Sequence, residues 1–504
     1  MDVINGLFTG FSSLMHLDIL FYCFVGVFVG TLIGVLPGIG PVGAMSILLP
    51  STFGLSPAAS VVMLAGIYYG AMYGGSTTSI LVNIPGEAAS VVTCLDGYQM
   101  AKKGRAGPAL GISALGSFIG GTIAIVLLMF LVFPLAATAV KFGPAEYFAV
   151  VCLSMTLLTY LSAGSVINSI IMIFFGLIIG CVGMDPIEAI PRFHFGTTTL
   201  LDGFGLVPVV MGLFGISEVL MNIANPEERV ILKAEIRNLL PNLEDWKRAI
   251  APILRGSVMG FFLGILPGGG AVMSTFLSYT VEKKLSKHPQ DFGTGIIEGV
   301  AGPETANNAA AGGAFVPMLA LGIPPNPIMA LLLGALIIHG VNPGPLLVSQ
   351  HPDIFWGVIA SMYVGNAMLL VLNLPLVGMW IKILKVPYRL LMPLILLCCL
   401  VGSFATNNNV MDIVIMIAFG VIGYILRKNE FELAPFVLAL ILGPLMEKNF
   451  RNALIISDGS FMIFLTKPIT ATVLGISALI LLSTCFSSYK KTKKRVIEEA
   501  GTGD

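Results

Sequence analysis

FVGVFVGTLIGVLPGIG (residues 24–40) decides how this chain folds, because it returns later as LRGSVMGFFLGILPGGG (254–270). Gly26, Gly30, Gly34, Leu36, Pro37, Gly38 and Gly40 match Gly256, Gly260, Gly264, Leu266, Pro267, Gly268 and Gly270 in order and spacing. Glycine at every fourth position gives a helix a flat face for close packing in lipid. The Pro-Gly pair then ends that helix and frees backbone N–H and C=O groups at a depth where water is scarce. A chain that breaks an apolar helix at matching places in two halves is expected to be a solute transporter.

Composition sets the class. The 504 residues are 56% hydrophobic and 11% charged, against about 25% charged in an average soluble domain. Apolar runs of membrane-crossing length recur from about Leu17 to Leu482, giving roughly ten to twelve embedded segments, some broken or re-entrant. The expected fold is an all-α polytopic membrane protein made of two inverted-topology repeats. Net charge is formally zero, so no general attraction to nucleic acid is implied. The seven cysteines lie scattered in apolar surroundings and read as buried thiols without disulfides. Lys102 is the first Lys or Arg. A cleavable signal peptide needs a basic start, so the N-terminus is expected to be retained.

The duplication has further landmarks. YGGSTTSILVNIPGEAAS (73–90) carries Gly74-Gly75 and then Ile84-Pro85; AGGAFVPMLALGIPPNPIM (311–329) carries Gly312-Gly313 and then Ile323-Pro324. IMIFFGLI (171–178) recurs as IMIAFGVI (415–422). The expected organisation is a first repeat at 1–223, a charged linker at 224–250 and a second repeat at 251–467. A last transmembrane helix at 468–489 and a basic cytoplasmic tail at 490–504 follow. Leu232, Ile236, Leu239 and Leu240 in the linker suit either a helix on the membrane surface or a solvated connection.

Basic loops orient the halves. STFGLSP (51–57) is uncharged, whereas its counterpart VEKKLSKHPQD (281–291) is basic; AKKGRAG (101–107) is basic, whereas GVNPGPLLVSQ (340–350) is uncharged. Positive loops stay in the cytoplasm, so equivalent loops face opposite sides. This places the N-terminus outside and the KKTKKR (490–495) tail inside.

Four interruptions supply the candidate site: LPGIGP (36–41), GGSTTSILVNIPGE (74–87), LPGGGA (266–271) and the stretch from GPETANNAAAGG to GIPPNP (302–327). Inverted repeats bring such breaks together near the midplane, where helix N-termini favour an anion and free carbonyls a cation. The substrate-binding candidates are Gly38, Gly40, Ser76, Thr77, Thr78, Asn83, Gly268, Gly269, Gly270, Asn307, Asn308, Pro324 and Asn326. Single kinks are more often packing devices than sites, and Ser or Thr often bonds its own helix; recurrence in both halves favours function. Glu87 and Glu304 are the ion-coupling candidates, since a carboxyl group inside a membrane is costly. Their plainer readings are a helix cap for Glu87 and a hydrated loop for Glu304. No Lys or Arg falls inside the four motifs, so an anion would be held by dipoles, amides and hydroxyls rather than by an arginine clamp.

Other chemistry lacks its residues. There is no GxxxxGK[ST] loop and no HExxH pair, and the five histidines have no ligand spacing. GTGD (501–504) resembles an intramembrane protease signature but sits in the polar tail. The chain is expected not to be an enzyme. Rival readings are a membrane enzyme acting on a lipid or isoprenoid, and a channel.

GVLPGIGP (34–41), YGGSTTSILVNIPGE (73–87), GILPGGGA (264–271), PETANNAAAGGAF (303–315) and LGIPP (321–325) together closely resemble the large membrane subunit of the tripartite tricarboxylate transporters, the TctA-type permeases. The resemblance covers nearly the whole chain. It implies a secondary transporter of the bacterial inner membrane, driven by an ion gradient and taking up carboxylates such as citrate. It also implies a small four-span membrane subunit and a periplasmic solute-binding protein as partners. No cofactor is expected beyond a coupling Na⁺ or H⁺, with Na⁺ placed at the helix breaks; membrane lipid and a second copy of the chain complete the expected partners. GIPPNP (322–327) departs from the family pattern, which implies a small residue such as Gly after LGIP; Pro325 stands there instead and removes a backbone donor.

Overall fold

The computed structural model describes residues 3–36, 40–161, 165–224, 238–268, 270–384, 386 and 388–501. It is almost wholly helical. In chain order the helices of more than four residues are α1 (Val3–Leu14), α2 (Leu17–Val35), α3 (Gly40–Leu48), α4 (Pro57–Val82), α5 (Val91–Lys102), α6 (Ala106–Ala139), α7 (Pro144–Leu161) and α8 (Val166–Gly180). A small antiparallel pair, β1 (Gly183–Met184) with β2 (Pro191–Arg192), follows. Then come α9 (Leu206–Ala224), whose Met211–Ile216 turn is π-helical, α10 (Leu243–Ile265), α11 (Gly270–Leu285), α12 (Glu298–Gly313), α13 (Phe315–Leu321) and α14 (Pro327–Ile338). The chain ends with α15 (Pro352–Asn373), α16 (Val377–Leu384), α17 (Tyr388–Asn407), α18 (Val410–Lys428), α19 (Ala434–Ile456) and α20 (Pro468–Gly501).

Among the described residues, seven helices are long and apolar enough to cross a membrane, and five shorter apolar helices accompany them. This is a multi-pass, all-α membrane protein. α4 is not one of the seven, because its GGSTTS run dilutes its apolar character. Every residue of α4 from Ala59 to Val82 is nevertheless buried. A helix enclosed on all sides belongs to the centre of a bundle.

The glycine ladder explains that enclosure. Gly26, Gly30 and Gly34 of α2 lie against the carbonyls of Met63, Ile67 and Ala71 on α4, and a Cβ on Gly30 would sit 2.5 Å from the Ile67 oxygen. Gly66, Gly70 and Gly74 of α4 answer from the other side. α10 repeats the arrangement on α12: Gly256, Gly260 and Gly264 lie against the carbonyls of Gly302, Ala306 and Ala310. Only hydrogen in place of a side chain lets two helical backbones come this close.

The helix ends match as well. Leu36 and Leu266, each before a proline, are extended, as the proline ring requires of its predecessor. α4 stops at a left-handed Asn83 and α13 at a left-handed Gly322, each followed by Ile-Pro. α10 begins at Leu243, inside the stretch read as linker, with Asn242 and Asp245 forming a capping box. Leu232 and Ile236 of that linker lie outside the described residues.

The chain forms two compact units, residues 1–140 with 205–425, and residues 141–204 with 426–504. Each draws on both sequence halves. In the first unit, Gly420 and Gly423 of α18 pack on Ile216 and Leu213 of α9. In the second, Gly176 of α8 packs on Phe436 and Ala439 of α19. The second unit also stacks Phe148, Phe450 and Phe464, with ring centroids 5.1–5.5 Å apart. An ion-pair lattice tops it: Arg451 and Arg192 share Asp185 and Glu447, and Lys467 reaches Glu146 at 3.1 Å. The six described cysteines are free.

Candidate functional site

In each half the two interruptions touch. Thr78 on α4 donates to the Val35 carbonyl at 2.6 Å, satisfying an orphan acceptor at the broken end of α2. Gly86 presses on the same place, since a Cβ there would lie 2.1 Å from the Gly34 oxygen. In the second half, the Gly268 N–H donates to the Pro325 carbonyl at 2.9 Å. Gly268 has φ +104°, a conformation reserved for glycine. Pro325, which offers no donor, thus contributes its acceptor to the join.

The halves also interlock. α3 packs on α14, and α11 packs on the turn Ala88–Ser90. Glu304, fully buried on α12, accepts hydrogen bonds from Ser76 on α4 and Thr93 on α5. It therefore lies in a helix and not in a hydrated loop. Glu87 caps the turn before α5 by accepting from the Ala89 N–H at 2.7 Å, and it also receives the Asn307 amide at 3.2 Å. Cap and cross-half contact coexist in one side chain. Among the described residues, neither carboxyl has an ion-pair partner.

The other candidates fall as follows. Ser76, Thr77, Thr78, Asn307 and Asn308 are buried. Asn308 donates to Ser117 at 2.7 Å, and the side-chain oxygens of Asn307 and Asn308 are buried without a donor. Asn326 caps α14 through the Met329 N–H at 2.9 Å and donates to Tyr68 at 3.2 Å. Pro324 is buried beside it, while Asn83 ends α4 with an exposed side chain. Gly40 and Gly270 open α3 and α11. Gly38 and Gly269 lie outside the described residues.

Sequence reasoning did not find Thr93, Ser117 or Tyr68. A signal existed for Thr93, which stands three residues before Asp96 on one face of a short helix; no motif marks the other two. Among the described residues, no group of three His, Cys, Asp or Glu side chains could hold a metal ion. Cation ligands at this place would be carboxyl, amide and hydroxyl oxygens, a set suited to hard ions. A cavity of about 360 Å³ lies elsewhere, at the charged ends of α10 and α11, where Arg248 pairs with Glu298 and Arg255 with Glu282.

Comparison with known proteins agrees with this architecture. Residues 20–438 match the model of the tripartite tricarboxylate transporter TctA family. The chain belongs to that family. As a TctA-family protein it is the large membrane subunit of a tripartite transporter. Such systems work with a small membrane subunit and a periplasmic solute-binding protein. An uncharacterized 52.8 kDa protein in the TAR-I ttuC' 3'region of Agrobacterium vitis is 47% identical over 499 residues, covering 99% of both chains. An uncharacterized protein in the TAR-II ttuC' 3'region of the same organism is 48% identical over 240 residues, 48% of this chain and 99% of that protein. No solved structure matches. The family is one of transporters and not of enzymes.

Proposed function

We propose that this TctA-family subunit imports an organic tri- or dicarboxylate such as citrate across the bacterial inner membrane, coupled to a Na⁺ or H⁺ gradient. The two halves are read as inverted repeats whose four interruptions bound one midplane site. The observation that carries this reading is their convergence: the breaks touch within each half, and α3–α14 and α11–Ala88 tie them across halves.

Broken helices leave N–H groups of α3 and α11 for an anion, while at α14 the Met329 N–H is taken by the Asn326 cap. Glu87 and Glu304 stand beside them to take a proton or to ligate Na⁺. The Ser76, Thr78 and Gly268 donors are engaged within the protein in this structure, so substrate capture is read as a rearrangement of these contacts. Movement of one part against the other, of the elevator kind, rests on fold-level analogy.

Uptake into proteoliposomes containing this chain, the small subunit and a binding protein tests the reading. Saturable uptake that needs an imposed Na⁺ or proton gradient is expected. Flux that ignores the gradient and does not saturate indicates a channel, and absence of flux with every carboxylate reopens the lipid-enzyme reading. Glu304→Gln assigns the coupling role: an unchanged rate and pH profile removes Glu304 from it.

A further inference from the structure

Asp96 on α5 is fully buried, and the hydrogen-bond partners of its carboxylate all lie outside the four interruptions. It accepts the N–H of Gly293 at 3.0 Å, of Gly295 at 2.7 Å and of Ile296 at 3.0 Å, and the Tyr279 hydroxyl at 2.9 Å. These three amides belong to the turn that leads into α12, and together they form a nest for an anionic side chain. The approach is tight: a Cβ on Gly299 would lie 2.2 Å from the Asp96 Oδ2, and one on Gly295 would lie 2.9 Å from the Met100 nitrogen.

One turn earlier on the same face of α5, Thr93 donates to Glu304, which α12 carries. A single helix face therefore grips both the entrance of α12 and its buried carboxyl group.

We propose that Asp96 is a positioning residue for transport: by fastening α5 to the turn before α12, it sets Thr93 against Glu304. The proposal rests on the reading above, in which Glu304 takes part in coupling. It treats α5 and α12 as one body, although the sequence assigns them to different halves. Asp96 itself touches no interruption, so it acts on turnover and not on capture of the substrate.

Native Cys94, adjacent to Thr93, reports the grip without any transport assay. In the purified full chain, maleimide labelling of the Cys94 peptide, followed by mass spectrometry, should be about tenfold faster in Asp96→Asn, the ratio given by losing one hydrogen bond to a charged group. In proteoliposomes with both partner subunits and radiolabelled citrate or succinate, Asp96→Asn should lower the maximal rate and leave KM unchanged. Thr93→Val should do the same, and the double variant should be no worse than either single one.

Unchanged Cys94 labelling overturns the proposal, as do additive losses or a loss that only follows the amount of folded protein. If Asp96→Asn does not fold, Tyr279→Phe decides: faster Cys94 labelling supports the grip, and wild-type labelling with wild-type uptake overturns it. If the wild-type protein moves none of the carboxylates, the transport reading fails while Cys94 labelling still judges the grip.

Discussion

Asn307 on α12 donates its side-chain amide to the Glu87 carboxyl 3.2 Å away, so a residue of the second half supports the buried acid of the first. Asn307→Leu keeps the volume and removes that donor. Leaving a buried polar group unsupported costs about 1–3 kcal/mol. Initial uptake rates in proteoliposomes should fall about tenfold or more at equal protein content, each tenfold step corresponding to about 1.4 kcal/mol. Wild-type rates would show that the contact is idle.

The glycine ladder makes a steric prediction. A Cβ on Gly260 would lie 2.2 Å from the Ala306 carbonyl, whereas one on Gly54 meets nothing within 4 Å. Overpacking typically costs about 1–3 kcal/mol. Gly260→Ala should therefore lower the melting temperature in detergent, and Gly54→Ala should leave it near that of the wild type.

The cap on α14 separates stability from transport. Asn326→Ala loses both the Met329 N–H and the Tyr68 hydroxyl, and loss of such a cap costs about 1 kcal/mol. Serine can still cap but cannot reach Tyr68. Asn326→Ser should thus melt close to the wild type, with any defect confined to uptake, while Asn326→Ala should lose in both assays.

Acid stability should depend on Asp185. Backbone N–H groups of Glu188 and Ile187, followed by the Arg451 guanidinium, hold its carboxyl down to about 2. A carboxylate with a depressed folded pKa adds stability above its unfolded value of 3.8 and loses that contribution as pH falls through about 2. Melting curves should separate wild type from Asp185→Asn at neutral pH and at pH 5, and the gap should close between about pH 4 and pH 2. A gap independent of pH would rule out the ionised form as the source.

The membrane class and the helix breaks were legible because each rests on local chemistry: glycine every four residues, X-Pro geometry and apolar length; the family was legible only through the resemblance of five motifs taken together. Tertiary partners were not. Ser117 became a site residue only when α6 came against α12, an approach that no spacing announces, and Thr93 carried no more than its three-residue spacing to Asp96. Glu304 looked compatible with a loop because GPETANN is poor in apolar residues, yet close packing makes the same residues a buried helix. α1 precedes Leu17, where the apolar runs read from the sequence begin; its Gly6 and Gly10 seat it on Trp356 of α15.

The enclosure of α4 bears on how the chain is made. A segment with GGSTTS at its centre gains too little from lipid to partition alone, and its partner surface is α2. The nascent protein is thus expected to insert α2 and α4 as a hairpin, so that truncations ending between them should leave a product that quality-control proteases remove.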